Sequence, residues 1–251
     1  MLEAYSQEAL DELLDQVPPR QGWDFSCMNV LRQPVPWSYH DLVVRYLRPN
    51  DSVLDIGTGG GETFSRLATS FGRGLGIDID ARMIQLAVAN STSGNIRFRV
   101  GSARLEAISE TFDVILDRHA PFDLDAIAAH LKPAGYFVTQ QVGERNMACV
   151  RAALGQEKTQ PPVHRQAFAV SGLQLLAFLE YDVEYVVRDI ESLLFWLRGL
   201  DGLHADLDGS AGLASAAALN RVLAGNVDER GFMTNEHRYL TVATTHGSQI
   251  R

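Results

Sequence analysis

Sixteen residues, VLDIGTGGGETFSRLA at 53–68, restrict this chain more than any other stretch. An apolar run meets Asp55, four glycines fall within 57–61, and a helical pattern begins at once. Phe64, Leu67, Ala68 and Phe71 recur at i, i+3, i+4 and i+7, the spacing of one buried helix face. Such a strand–turn–helix opens a βαβ unit, and the chain continues in the same manner. The strand candidates are 53–56, 74–79, 96–100, 112–117, 135–140, 183–190 and 238–244. Helical patterns lie near 62–71, 81–90, 123–131, 144–154, 166–179, 191–199 and 212–224. This alternation predicts an α/β fold, a mainly parallel sheet with helices on both faces. Ligands of such sheets bind at the carboxyl ends of the strands. Further helices are expected at 3–17, ended by Pro18 and Pro19, and at 40–47; 200–216 reads as a loop.

Charge and cysteine usage narrow the compartment and the partners. The 251 residues carry a formal net charge of −9, and no two Lys or Arg residues are adjacent. A basic run that could neutralise a phosphate backbone is missing, which speaks against a nucleic-acid substrate. The first residues, MLEAYSQEALDELLDQ, are acidic and amphipathic, the opposite of a signal peptide. No apolar run approaches the ~18 residues of a membrane span. Cys27 and Cys149 lack CxxC spacing and read as free thiols, the pattern of a cytoplasmic protein. The seven histidines have no metal-ligand spacing, so no metal is expected.

Three ligands compete for the glycine turn. A P-loop needs GxxxxGK[ST], and no Lys or Arg follows these glycines. A dinucleotide fingerprint starting at Gly57 needs glycine at 62, where Glu62 stands. A carboxylate in the first helical turn suits the helix but repels a pyrophosphate. Asp55 precedes the turn, giving Asp-x-Gly-x-Gly-x-Gly over 55–61. Acid on both sides suits a ligand that lacks phosphate and carries positive charge, and S-adenosylmethionine, with its ammonium and sulfonium, fits. GLGIDID then ends a second strand in Asp78, 21 residues after Gly57. An acid at that strand tip can accept bonds from both ribose hydroxyls, with Ile79 beside the adenine. Asp80 reads as the cap of the next helix.

The run from about 40 to 142 resembles a class I S-adenosylmethionine-dependent methyltransferase of the small-molecule type. The matching pieces are VLDIGTGGGE, GLGIDIDARMIQLA, IRFRVGSARL, FDVILDRHAPFD and HLKPAGYFVTQQVG, in the family's order and spacing. The tail, with EHRYLTVAT as a reversed last strand, fits as well. The resemblance implies a Rossmann-like seven-stranded sheet of order 3-2-1-4-5-7-6 with strand 7 antiparallel. Residues 1–39 would then be a helical and aromatic lid, and 40–251 the methyltransferase domain. Carried over by position, Asp55, Gly57, Gly59 and Gly61 border the cofactor's methionine part, and Thr58 and Asp117 join the cofactor-binding residues. Asp78 would hold the ribose and Ile79 the adenine. The family's acid after strand three is here Ser102, a neutral acceptor of shorter reach, with the Ala103 backbone beside the ring. Arg104 or Glu106 rearranging this edge is the alternative.

Methyl transfer is an in-line displacement in which the protein chiefly aligns nucleophile and methyl. LDRHAPF follows strand four, beside the expected methyl position. His119 is the candidate base or polar substrate contact, since an unperturbed pKa of about 6.5 suits proton acceptance. Arg118 could hold a substrate carboxylate; mutual pairing of Asp117, Arg118 and His119 is the plain structural alternative. Trp23, Trp37 and Tyr39 would wall an apolar pocket for a small organic acceptor, and ordinary packing is their alternative reading. Phe195 and Trp196 read as core more readily than as pocket. Two further classes stay open on sequence alone: an RNA methyltransferase, and an S-adenosylmethionine-binding protein without methyl transfer.

Overall fold

In the computed structural model, residues 4–18, 25–155, 165–198 and 215–245 are described. The elements begin with α1 (Gln7–Gln16), β1 (Val30–Arg32), α2 (Tyr39–Val44), β2 (Ser52–Ile56), α3 (Glu62–Ser65), a 3₁₀ turn (Ala68–Ser70) and β3 (Arg73–Asp78). There follow α4 (Ala81–Asn90), β4 (Ile96–Val100), β5 (Phe112–Arg118), α5 (Leu124–His130), β6 (Leu131–Val142) and α6 (Ala148–Ala153). The last are α7 (Arg165–Val170), β7 (Leu173–Val187), α8 (Ile190–Arg198), α9 (Ala216–Leu223), β8 (Val227–Asp228) and β9 (Gly231–Thr245). The expected loop at 200–216 lies almost wholly outside the described residues.

The chain divides into two compact units, and the larger comprises Pro36–Val142, Pro162–Glu180 and Arg238–Arg251. Its sheet has the order β4-β3-β2-β5-β6-β9-β7. β2, β3, β4, β5 and β6 pair in parallel, and β9 runs antiparallel to β6 from Tyr136↔Thr244 to Val142↔Arg238. Numbered from the glycine-turn strand, this is the expected 3-2-1-4-5-7-6. The central strands β2, β3, β5 and β6 are largely buried on both faces, and alternation sends successive residues to two cores. Val53, Val114, Leu116, Val138 and Val242 join Tyr39, Phe64, Leu67 and Phe71 on one face. Leu54, Ile115, Phe137 and Ala243 join Ile127 and Phe168 on the other.

The smaller unit comprises Met1–Val35, Gly143–Pro161 and Tyr181–His237. Its core gathers Leu10 of α1, Val150 of α6, Leu193, Leu194 and Leu197 of α8, and Leu219 and Val222 of α9. Ser6 caps α1 by accepting from the Ala9 N–H, and Asn220 bonds both the N–H and the carbonyl of Tyr5 at 2.8 Å. Here β1 pairs antiparallel with the end of β7, Val30 opposite Val187, and β8 forms a short hairpin with β9. Tyr5, Phe25 and Met28 belong to this core, Phe25 standing edge-on to Phe195 at 6.0 Å, and Trp196 lies against Tyr185.

One expected element is corrected. The helix read over 166–179 stops at Val170, and β7 begins at Leu173, ten residues before the strand expected at 183–190. Gly172, with φ of 78°, ends the helix; its N–H donates to the Ala169 carbonyl, and the Ser171 hydroxyl to the Phe168 carbonyl. The helix expected at 62–71 is likewise split into α3 and the 3₁₀ turn, yet Phe64, Leu67, Ala68 and Phe71 are all buried as the spacing required.

Candidate active site

Within the larger unit, the carboxyl ends of β2, β3, β4 and β5 carry the glycine turn, Asp78, Ser102 and the Asp117–His119 run. Gly57 and Gly61 have φ of 68° and 78°, values that strain any side chain. Space forbids one too: a Cβ on Gly57 would overlap the Cβ of Ala120, and one on Gly61 would stand 3.0 Å from the Phe98 ring. The turn is fastened to the next strand by the Thr58 N–H, which donates to the Ile77 carbonyl at 2.9 Å.

Asp78 is oriented by backbone alone. Its Oδ2 accepts from the Gly59 N–H and its Oδ1 from the Asp80 N–H, both at 2.9 Å. Each carboxylate oxygen keeps capacity for a further donor. Ile79, next to it, is 79% exposed, an unusual state for a large apolar side chain. Asp80 caps α4 by accepting from the Arg82 N–H, as its position predicted.

Two more carboxylates lie in the interior of this end of the sheet. Burial raises the Asp55 pKa to about 7, opposed by the nearby Thr58 hydroxyl and Arg118 and reinforced by Asp78. The Thr58 Oγ1 is itself buried without a partner at hydrogen-bond geometry. Asp117 is fully buried, and burial holds its pKa well above the carboxylate range, with Asp55 adding to the rise. Its Oδ1 accepts from the Thr139 hydroxyl at 3.1 Å and from the Gln141 amide, while its Oδ2 is buried without a partner. Among the described residues, Asp55, Asp78 and Asp117 form no ion pair. A charged group that matched them would relieve a substantial desolvation cost.

The strand-four tip continues into an exposed pair. Arg118 donates to the Thr63 hydroxyl at 3.3 Å and lies 5.6 Å from the Tyr39 ring centre. Tyr39 is buried, and its hydroxyl donates to the Asp117 carbonyl at 3.4 Å. Burial, with Asp55 and Asp117, lifts its pKa well above the phenol value. His119 takes a left-handed φ of 65°, uncommon outside glycine. The residue is exposed by surface area yet has protein packed around its ring. That enclosure, with Arg238 and Arg118 nearby, holds its pKa well below the imidazole value. The Gln140 amide reaches its Nε2 at 3.1 Å, and the Trp37 indole N–H donates to Gln140 Oε1 at 2.9 Å. Trp37 and Tyr39 are thus brought to the Asp117–His119 end, whereas Trp23 lies outside the described residues.

At the tip of β4, Ser102 differs from a free acceptor. Its hydroxyl donates to Glu106 Oε2 at 2.7 Å and accepts from the Arg104 N–H at 3.3 Å. That bond holds the Glu106 carboxyl below its ordinary pKa, so a carboxylate stands at this edge after all. Glu106 is thus the alternative named for this edge from the sequence. Gln140 and Gln141, each 6% exposed, were unread; two adjacent glutamines closing an apolar strand were the available sign.

Against known proteins, residues 47–169 match a family described as a methyltransferase domain. A ribosomal protein L11 methyltransferase of Thermus thermophilus is 40% identical over 65 residues, 26% of this chain and 26% of that one. A protein of unknown function from Deinococcus radiodurans R1 shares the fold, with a TM-score of 0.61, 18% identity and coverage of 86% and 90%. A Thiobacillus denitrificans S-adenosylmethionine-dependent methyltransferase, solved with S-adenosylhomocysteine, aligns with a TM-score of 0.53, 16% identity and coverage of 86% and 94%. The fold and the glycine–carboxylate end of its sheet define a nucleotide-type α/β domain. More narrowly, residues 47–169 match a methyltransferase domain, and the fold is the one that the S-adenosylmethionine-dependent methyltransferase of Thiobacillus denitrificans also has. Among the described residues no helix is long and apolar enough to cross a membrane.

Proposed function

We propose that this chain transfers a methyl group from S-adenosylmethionine to a small organic acceptor. One observation carries the reading: three carboxylates at neighbouring strand tips, two of them buried, have no protein cation paired with them. The orphaned Asp117 Oδ2 and the glycine cradle that a Cβ would fill agree with a close, cationic ligand. Asp55 would face the ammonium end with Asp117 and Thr58 nearby, and Gly57, Gly59 and Gly61 would let the backbone approach. Asp78 would accept the ribose hydroxyls, and exposed Ile79 would cover the adenine. The Ser102–Glu106 pair and the Ala103 backbone would meet the adenine edge, restoring the acid that Ser102 alone lacks.

When bound, the cofactor supplies a methyl group activated by its sulfonium. The chain's own contribution is alignment, which can supply roughly 7–11 kcal/mol of barrier reduction. Arg118 and His119 would hold the acceptor, with Trp37 and Tyr39 as its apolar wall. Calorimetry tests the cofactor half: S-adenosylmethionine and S-adenosylhomocysteine should bind, and NADH and ATP should not. Production of S-adenosylhomocysteine across a panel of phenols, amines and carboxylic acids tests the acceptor half. His119→Asn at saturating cofactor should lower turnover, and unchanged turnover would remove the histidine from the reaction.

A protein acceptor is the second reading, favoured by the 65-residue likeness to a ribosomal protein methyltransferase. Methylation of ribosomal proteins alone, with every small acceptor silent, would replace the first reading with this one.

A further inference from the structure

We propose that Trp37 and Gln140 form a relay that keeps His119 neutral with its proton on Nδ1, so that His119 meets the methyl acceptor as a hydrogen-bond donor and not as a base. The last step, and it alone, rests on reading this end of the sheet as the acceptor site. An indole nitrogen can only donate. Trp37 Nε1 lies 2.9 Å from one end of the Gln140 amide, so that end must be the carbonyl oxygen. The other end is then the NH₂ group, which only donates, and it faces His119 Nε2 at 3.1 Å. A donor in that position can be met only by a lone pair. His119 Nε2 therefore carries no hydrogen, and a neutral ring must hold its proton on Nδ1.

The relay is held in place. Gln140 is 6% exposed, so water competes poorly for its amide, and Trp37 is half-buried against the core beneath it. The backbone adds a second tie between the same two residues, for the His119 N–H donates to the Gln140 carbonyl at 2.9 Å. Protonating the ring would set a second N–H against the Gln140 amide. The charged groups nearby oppose it as well: Arg118 precedes it in the chain, and Arg238 of β9 pairs with Val142 of β6. Asp117 offers no bond to the ring: its Oδ1 is engaged by Thr139 and Gln141, and its buried Oδ2 reaches no donor. Among the described residues Nδ1 has no partner, and the residue is exposed. The chain thus presents one N–H in the residue that follows Arg118, a combination that suits an acceptor bearing a carboxylate or carbonyl oxygen.

The measurement is a long-range proton–nitrogen correlation spectrum of the histidine-labelled protein, with His119 assigned by its loss in His119→Asn. His130, bonded to the Ala126 and Ile108 carbonyls, serves in each spectrum as a marker of the intact fold. The wild type should show protonated Nδ1 and bare Nε2, unchanged on acidification to about pH 5.5, a unit below the free imidazole pKa. In Trp37→Phe the amide can turn over, and the Nε2–H tautomer should appear. In Gln140→Glu a carboxylate replaces the amide, and the His119 pKa should rise by about 1–3 units. A wild-type ring protonated on Nε2, ordinary titration near 6.5, or a tautomer indifferent to both variants would overturn the relay. None of these readouts needs turnover, so a failure of methyl transfer would leave the relay standing and sink only the functional reading.

Discussion

In the proposed reading, charge selection turns on Asp55. Buried near Asp117, with a pKa of about 7, it is half protonated near neutrality in the ligand-free protein. A cationic ligand pairs with the carboxylate form, so binding must displace the proton at lower pH. Affinity for S-adenosylmethionine should therefore rise with pH and level off above about 7, with up to about tenfold lost per unit below it. Calorimetry in buffers of different ionisation enthalpy should register proton release at pH 6.5, and neutral adenosine should show none of this dependence. Asp55→Asn should flatten the profile and weaken binding about 10- to 100-fold, the scale of a lost charge-assisted bond. Glu106 makes a smaller contribution at an exposed edge. Glu106→Gln should raise the dissociation constants of S-adenosylmethionine and adenosine by a similar factor, because both present the same adenine. Asp55→Asn should separate the two ligands.

At the scale of elements, the aromatic layer under the glycine turn explains why β3 contains glycines. Phe64 stacks on Phe71 with centroids 5.2 Å apart, and a Cβ on Gly74 would stand 2.7 Å from the Phe64 ring. Phe64→Ala should cost about 3–5 kcal/mol in urea unfolding, the range for a fully buried aromatic. Gly74→Ala should cost about 1–3 kcal/mol by overpacking. The Phe64 face was legible in the sequence because i, i+3, i+4, i+7 spacing survives the break into two short turns. The strand order was legible because each glycine, acid and apolar run came in the order of a familiar fold. β7 was not, since LQLLAFL has apolar residues at nearly every position and fits either period. The Ser171–Gly172 pair that divides helix from strand was the missed stop. β1 and β8, three and two residues long, are too short to show any period. The placement of a candidate was legible where one residue stands by itself at a strand tip, as Asp78 does at the end of β3. It was not where partners from distant strands are needed, as in the bond from Trp37 to Gln140.

At the scale of the whole molecule, the site leaves a signature on stability. Asp55 and Asp117 both titrate above the ordinary carboxylate value in the folded state, so between about pH 4 and 7 the fold holds protons that the unfolded chain has lost. Their stabilisation is complete at low pH and is lost as pH rises through each folded-state pKa; for Asp55 that loss is centred at about pH 7, and its full change is about 4 kcal/mol. His119 acts in the opposite sense, because a depressed imidazole pKa makes the unfolded chain the stronger proton binder below about 6.5. Two carboxylates against one imidazole leave a net loss of stability with rising pH. The lowered pKa values of Asp113, Asp182 and Asp189 matter only at more acid pH, below the unfolded value. Urea midpoints of the ligand-free protein should thus fall from pH 5.5 to 7.5. Saturating S-adenosylmethionine should flatten or reverse that fall, because the bound cation makes the ionised carboxylates the favoured state. A ligand-free protein that gains stability across the same interval would show that these carboxylates are ionised already, and that another group holds the charge now assigned to the cofactor.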